Sequence, residues 1–285
     1  MRLQNFITAN LVFGLWSLVF GLCLFTLPVL AQKIAIITPE KTANIEKISF
    51  QLNQKFNSLD SDLVEITVKS QSIENLFNLS TEEAKTLGNA IGCDFFILLK
   101  SESLRRTSFA KPVYFEAYLS AHLVSTRSGR LLFWDLKSVE AENVNEAETQ
   151  LFGSTESLIK KIQTQIKAAN QNEITDLIPN LEELPDENSP EAKNFQSPLP
   201  FRRLRPEYTR TADLYGVTAT VDATVDLDEK GQITRLEITR WAGYGLDESV
   251  IETIRRMQWR PASRNGKTLP IRVLLRYNFK KVEKE

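Results

Sequence analysis

Strict alternation of apolar and polar side chains marks two strands near the carboxy terminus. From Val217 to Leu227 every second residue is apolar, and threonine or aspartate fills the positions between. The same period returns from Ile271 to Phe279. A period of two turns one side of a strand toward a core and the other toward water. Asp222 and Asp226 are therefore expected on a solvated face.

The residues between these strands complete a small domain, the tail domain (residues 201–285). A turn at 228–231 leads into a returning strand over 232–241. Next comes a helix capped by Asp247 and stopped by Pro261. One stripe of that helix is apolar: Leu246, Val250, Ile254 and Met257. The Asn265–Gly266 turn precedes the last strand, so the predicted order is strand, strand, helix, strand.

Ahead of the tail domain, strand and helix patterns alternate over residues 32–169, the front domain. The predicted strands lie at residues 33–38, 63–68, 95–99, 113–125 and 131–139. The predicted helices lie at residues 42–57, 80–92 and 154–168, the second opening on a Ser80–Glu83 capping box. Strands and helices closed by a hairpin predict a mixed sheet with helices packed on it. The predicted fold class of the whole chain is therefore α+β.

Residues 170–200 separate the two domains and read as a linker. They contain five prolines and seven acidic residues against a single lysine. Such a composition favours an extended, flexible connection over a packed element.

The amino-terminal segment, residues 1–31, predicts export. An apolar run over residues 11–30 follows Arg2, and the sequence Val29–Ala31 suits signal-peptide cleavage. The run is also long enough to remain as a membrane anchor. Cleavage is the favoured alternative, and both place the rest of the chain in the periplasm, either secreted or anchored in the inner membrane.

Charge and residue types argue against several functions. The net charge of -1 is not the strongly basic footprint of a nucleic-acid binder. No phosphate-binding loop or nucleophile with a nearby base is recognisable, so no catalytic residue and no cofactor are predicted. The only histidine, His122, has no metal-binding partner in view, so we predict no metal site. Cys93 and Trp259 are expected to be buried, and the arginines from Arg202 to Arg210 to be solvated.

The tail domain resembles the carboxy-terminal domain of the TonB family. Six pieces carry the resemblance in order: Arg205–Tyr208, Tyr215–Val221, Asp228–Gly231, Gly245–Asp247, Trp259–Pro261 and Asn265–Lys267. Thr209 and Ala219 depart from the usual proline and glycine. The family's last strand accepts peptide segments of outer-membrane transporters as an added strand. The resemblance therefore implies a partner-binding edge on the last strand, with these residues: Arg272, Leu274, Arg276 and Asn278.

The front domain resembles the fold shared by the TolB amino-terminal domain and the curli secretion protein CsgG. The helix and strand over residues 84–99 and the hairpin over 121–134 carry this resemblance. It implies a fold and leaves the front domain's role open.

Two non-enzymatic functions follow from these resemblances. The first is a link in TonB-dependent transport across the outer membrane, with force supplied by an inner-membrane motor complex. The second is a periplasmic scaffold or envelope-assembly adaptor without energy coupling. The linker is shorter than in TonB energy transducers and lacks their Pro-rich repeats, which weakens the first.

Overall fold

The computed structural model describes residues 32–56, 58–172, 181–186 and 188–281. The predicted signal or anchor segment, residues 1–31, lies outside them. None of the described helices is both long and apolar enough to cross a membrane. Residues Lys33–Glu285 cluster into one compact unit.

The front domain is built on a four-stranded sheet, the front sheet. Its strands are β1 (Ile34–Ile37), β2 (Phe95–Arg106), β3 (Tyr114–Ser125) and β4 (Leu131–Ala141), in spatial order β1-β2-β3-β4. β1 lies parallel to β2, and the other pairs are antiparallel. The predicted mixed sheet is thereby confirmed, with β2 running seven residues beyond its predicted end.

Four helices cover the two faces of the front sheet. They are α1 (Ala43–Phe56), α2 (Ser61–Ser70), α3 (Thr81–Ile91) and α4 (Val144–Asn172). α1 and α4 bury one face and share a core with Ile97 and Leu119. α2 and α3 cover the other face over Phe96 and Leu98. The Ser80–Glu83 capping box at the start of α3 is present as predicted, and Gly92 ends the helix in the left-handed region.

The strand predicted at residues 63–68 is wrong, because this segment is helix α2. The carboxylate of Asp60 caps the helix by accepting the N–H groups of Asp62 and Leu63 at 3.0 and 3.1 Å. Only Val64 of this helix is fully buried, and Leu63 and Ile66 are each 66% exposed. β-branched residues suggested a strand, whereas the cap and one buried contact decide the helix.

Helix α4 begins ten residues before its predicted start. The side chain of Asn143 accepts the N–H of Glu146 at 2.9 Å and caps the new first turn. Ala147 and Leu151 then extend the buried stripe toward Ile162. This first turn of α4 is not predicted from the sequence because it directly follows the alternating pattern of the β3–β4 hairpin.

The tail domain and the segment before it contain a 3-10 helix (Pro190–Ala192) and the remaining α-helices and strands. They are β5 (Phe195–Gln196), β6 (Leu199–Pro200), α5 (Arg210–Leu214), β7 (Ala219–Leu227), β8 (Ile233–Arg240), α6 (Leu246–Arg255), β9 (Trp259–Arg260), β10 (Ala262–Arg264), β11 (Lys267–Leu269) and β12 (Ile271–Phe279). Three of the strands form the tail sheet, in spatial order β12-β7-β8, both pairs antiparallel. The predicted strand, strand, helix, strand order is confirmed, and β12 has the predicted bounds.

Part of the segment predicted as linker is paired with the tail domain. β5 pairs with β10, and β6 pairs with β9. Residues 181–186 also contact the tail, at β12. The described end of this segment is therefore held against the tail domain, while the domain boundaries themselves remain a prediction.

The predicted cap of helix α6 is wrong. Gly245, with φ 76°, occupies the cap position, and Asp247 lies inside the first turn. The carboxylate of Asp247 points back to accept the N–H groups of Ala242 and Gly243 at 2.9 and 2.8 Å. A left-handed backbone suits glycine, whereas an aspartate in the first turn binds the free N–H groups of the chain entering the helix.

Candidate partner-binding edge of the tail sheet

β12 is the outer strand of the tail sheet, and its side chains alternate between the core and an outward face. Ile271 and Val273 are buried in the tail core. The four residues predicted to bind a partner share the outward face: Arg272, Leu274, Arg276 and Asn278. Opposite them in register on β7 stand Asp226, Thr224, Asp222 and Thr220. The structure therefore brings the predicted residues together in one row.

Two charge-assisted pairs link the outward faces of β12 and β7. Arg272 donates two hydrogen bonds to the carboxylate of Asp226, both of 2.7 Å. Arg276 binds Asp222 in the same way, at 2.7 and 2.8 Å. The carboxylates raise the pKa of both arginines. Bidentate pairs of this kind fix the register of the two strands, and each arginine balances the charge of its carboxylate.

The expectation that Asp222 and Asp226 are solvated is wrong. Asp222 is 5% exposed and Asp226 is 1% exposed. Arginines from β12 cover the two carboxylates, and Arg240 on β8 also approaches Asp222, at 3.5 Å. Alternation identifies which side chains leave the core, but it does not reveal what covers them.

We expect Asp226→Asn to lower the free energy of unfolding by about 2 kcal/mol, because the charge that Arg272 binds is removed from a buried position. Urea unfolding measures this loss. Glu229→Gln, at an exposed turn position, is the matched control and should change stability by less than about 0.5 kcal/mol. Equal effects of both substitutions would show that the buried pair contributes nothing.

The backbone of β12 presents hydrogen-bonding groups away from β7. The N–H of Arg272 donates to the carbonyl of Glu182 at 2.8 Å, on the side opposite β7. Successive N–H groups of a strand point to opposite sides, so those of Leu274, Arg276 and Asn278 point the same way as that of Arg272. In the part of the chain that the structure describes, β12 has no second neighbouring strand beyond the single bridge at Arg272.

A groove of about 630 Å³ runs along the outward face of the tail sheet. Its other wall is the front domain, at the start of α3 and the turn between β3 and β4. Five arginines, one lysine and four acids line it: Arg127, Arg130, Arg240, Arg272, Arg276, Lys85, Glu82, Glu183, Asp222 and Glu237. Leu274, which is 55% exposed, is the apolar side chain in this charged surface.

Comparison with known proteins identifies the tail. Residues 205–280 match the model of the family described as Gram-negative bacterial TonB protein C-terminal. The tail domain is a TonB-type carboxy-terminal domain. The predicted resemblance of the tail is thereby confirmed.

Solved structures similar to this chain include the following two. The carboxy-terminal domain of Pseudomonas aeruginosa TonB aligns at 18% identity over 38% of this chain and 100% of its own, with a TM-score of 0.28. Lipoprotein GNA1162 of Neisseria meningitidis aligns at 17% identity over 48% of this chain and 99% of its own, with a TM-score of 0.33. No curated protein matches the chain.

The TonB-type domain is joined to the front domain through Trp241, at the end of β8. This indole is 1% exposed and lies in the front-domain core beside Leu79 and Val124. Its Nε1 donates to the carbonyl of Gly129 at 3.1 Å. Its backbone N–H donates to the carbonyl of Leu79 at 3.2 Å. A residue of the TonB-type domain therefore completes a core of the front domain.

Asn78 and Arg240 reinforce this joint with polar contacts. The amide of Asn78 donates to the carbonyls of Thr220 and Trp241, at 2.7 and 2.8 Å, and accepts the N–H of Thr220 at 2.9 Å. Arg240 donates to the carbonyl of Asn78 at 2.7 Å and pairs with Glu83 at 3.1 Å. Asn78 thus satisfies backbone groups at the start of β7 and the end of β8 together.

His122 lies at the centre of the joint, in a cage of aromatic rings. The centroids of Phe77, Trp241, Tyr244 and Trp134 lie 5.4 to 6.3 Å from its own. The residue is 0% exposed. Neither ring nitrogen has a hydrogen-bond partner of ordinary geometry among the described residues. Burial lowers the pKa of His122 to about 3, so the ring is neutral.

Asp247 is the other buried titratable group near the joint. Burial raises the pKa of Asp247 to about 7, against the opposing effect of the two N–H groups it accepts. It is 7% exposed, whereas an acid at a helix start is ordinarily solvated.

The other residues named in the sequence analysis are buried or exposed as expected. Trp259 and Cys93 are buried, and burial raises the pKa of the Cys93 thiol to about 11. Arg202 and Arg203 are exposed. Among the described residues, no group of three or more His, Cys, Asp or Glu side chains is arranged to hold a metal ion.

Sequence reasoning missed the joint itself. Asn78 is an isolated polar residue before a capping box, and Trp241 is the last residue of the strand predicted over 232–241. Trp241 and Gly129 are 112 positions apart, and Asn78 and Trp241 are 163 apart.

Proposed function

We propose that this chain is a TonB-family envelope protein that binds an extended segment of a partner protein as an added strand on β12. The partner is a peptide segment of an outer-membrane transporter, which links the chain to TonB-dependent transport. The observation that supports this most is the backbone of β12. The N–H of Arg272, which points away from β7, already pairs with an extended segment of the chain.

The binding step is main-chain pairing along the strand. The outward N–H and C=O groups of Leu274, Arg276 and Asn278 pair with the partner's backbone. Arg272 and Arg276 hold β12 in register with β7 through Asp226 and Asp222, so the edge is rigid before the partner arrives. The protein acts by binding and not by catalysis. In the transport version, an inner-membrane motor complex supplies the force.

A photo-activatable cross-linking residue at position 274 of the full-length chain, introduced in cells, tests this function. Leu274 is exposed beside the proposed contact, so we expect a cross-link to a periplasm-facing segment of an outer-membrane transporter. The matched control places the same residue at Leu63, which is 66% exposed on α2, away from the tail sheet. Mass spectrometry of the adducts identifies the partner. Identical adducts from both positions, or none with a transporter at position 274, would contradict the transport link.

A second function, a periplasmic adaptor without energy coupling, is supported by the joint at Trp241. A force-transmitting tail has to reach a distant membrane, whereas this tail domain is held against the front domain by Trp241 and Asn78. The two functions differ at the amino terminus, because a force-transmitting chain has to keep its anchor. Mass spectrometry of the mature chain decides between them, and a terminus at Gln32 would exclude motor coupling.

A further inference from the structure

Residues 181–186 lie beside the beginning of β12 and contact it through both backbone and side chain. The carbonyl of Glu182 accepts the N–H of Arg272, and Glu183 is the parallel bridge partner of Arg272. The guanidinium of Arg264 on β10 binds both oxygens of the Glu182 carboxylate, one of them at 3.2 Å. The chain itself therefore supplies the first residues of an added strand.

We infer that residues 181–186 are an internal occupant of the β12 edge, and that the partner is an extended segment whose acidic residue replaces Glu182 on Arg264. This inference rests on the proposed function, since it assumes that β12 is the edge the partner uses. It adds that the partner segment is acidic, and that an internal contact regulates access to the β12 edge.

The preference for an acidic partner segment follows from which carboxylates the arginines near the edge bind. Arg272 and Arg276 bind Asp226 and Asp222, which belong to the tail sheet itself. Arg264 binds a carboxylate from the internal occupant instead. The ring of Phe195 lies 5.4 Å from the Arg264 guanidinium carbon, a contact that helps to hold the cation at the start of the edge. An incoming segment that displaces Glu182 needs a carboxylate to restore this pair.

The contacts that hold the internal occupant on β12 are few and weak, so a partner segment can displace it. Its ion pair is partly exposed, so solvent screens the two charges and the pair contributes little to holding the segment in place. It makes one bridge, and Pro185 follows, which has no N–H with which to extend the pairing. The outward groups from Leu274 to Asn278 remain as a starting point from which a longer segment pairs and then replaces Glu182.

Amide hydrogen exchange of the full-length chain tests the internal contact. In Glu182→Lys/Glu183→Lys, we expect the Arg272 amide to exchange at least about tenfold faster, because its acceptor leaves. Glu191→Lys reverses a charge in the same acidic segment, outside residues 181–186, and should leave Arg272 unchanged. An unchanged Arg272 amide in the double variant would overturn the inference.

A synthetic peptide of residues 178–188, added in trans, tests the partner's chemistry. We expect it to bind the double variant at least about tenfold more tightly than the natural chain, because the natural edge is already occupied. A peptide with lysine in place of both Glu182 and Glu183 should not bind at the same concentration. Equal binding of the acidic peptide to both proteins, or equal binding of both peptides, would overturn the inference.

These results are separable from those of the proposed function. Failure of the cross-link at position 274, with protection of Arg272 intact, rejects the transporter and leaves the internal contact standing. A transporter cross-link without any effect of the double variant supports strand addition and rejects the internal occupant.

Discussion

Trp241→Ala is expected to lower the free energy of unfolding by about 3 to 5 kcal/mol, the usual range for removing a large, fully buried aromatic side chain. The indole is 1% exposed and fills part of the front-domain core, although it belongs to the tail domain. Its loss also leaves the carbonyl of Gly129 without the indole donor. Urea unfolding of the full-length chain measures the change.

A matched control separates burial from loss of an aromatic ring. Phe109 is fully exposed, so Phe109→Ala should change stability by less than about 0.5 kcal/mol. In Trp241→Ala we also expect the two domains to unfold in separate transitions, because the joint couples them. A single transition with natural stability would show that the domains do not depend on this contact.

The second large effect is a loss of stability in acid caused by His122. The pKa of His122 is lowered to about 3 in the folded protein. The His122 imidazole therefore binds a proton near pH 6.5 in the unfolded chain but not in the folded protein. As a result, the contribution of His122 to stability falls as the pH drops below that value. The loss grows by about 1.4 kcal/mol for each pH unit and reaches about 3 kcal/mol by pH 4.

Asp247 changes stability in the opposite direction over part of this range. The pKa of Asp247 is raised to about 7, so the folded protein takes up a proton as the pH falls from 7 toward 4, and stability rises. The two effects offset each other in the natural chain. His122→Phe keeps a ring in the aromatic cage and removes the His122 effect, and Asp247→Asn removes the other.

The difference between two unfolding curves isolates His122. The stability of His122→Phe minus that of the natural chain should increase by about 3 kcal/mol from pH 7 to pH 4. Asp247→Asn should lose stability in acid more steeply than the natural chain. A difference between His122→Phe and the natural chain that does not vary with pH would show that His122 is protonated equally in both states.

Local patterns predicted the tail domain well because each of its elements carries its own signal. Alternation defines β12 to the residue, and the Asn265–Gly266 turn has both residues at positive φ, as such a turn requires. Helix α2 was misread because its β-branched residues favour a strand locally. Its cap at Asp60 outweighs that preference.

The features that matter most for function depend on contacts between distant residues. Nothing within β7 reveals that arginines of β12 cover Asp222 and Asp226. Nothing near Glu182 reveals that its carbonyl reaches Arg272, 90 positions away. A sequence period reports which side of a strand faces a core, whereas the partner of each outward side chain is fixed only by the assembled fold.

The proposal that β12 accepts an added strand is tested most directly at Leu274. The outward N–H of this residue is one of those offered to the partner, so Leu274→Pro removes an edge donor and spares the N–H groups that pair with β7. Leu274→Ala is the matched control, because it trims the side chain and keeps the N–H. The measurement is the affinity of each full-length variant for the transporter segment that cross-links at position 274, with unfolding curves showing that both variants fold. We predict at least about a tenfold loss for Leu274→Pro and near-natural binding for Leu274→Ala. Natural affinity in a folded Leu274→Pro chain would contradict strand addition at β12.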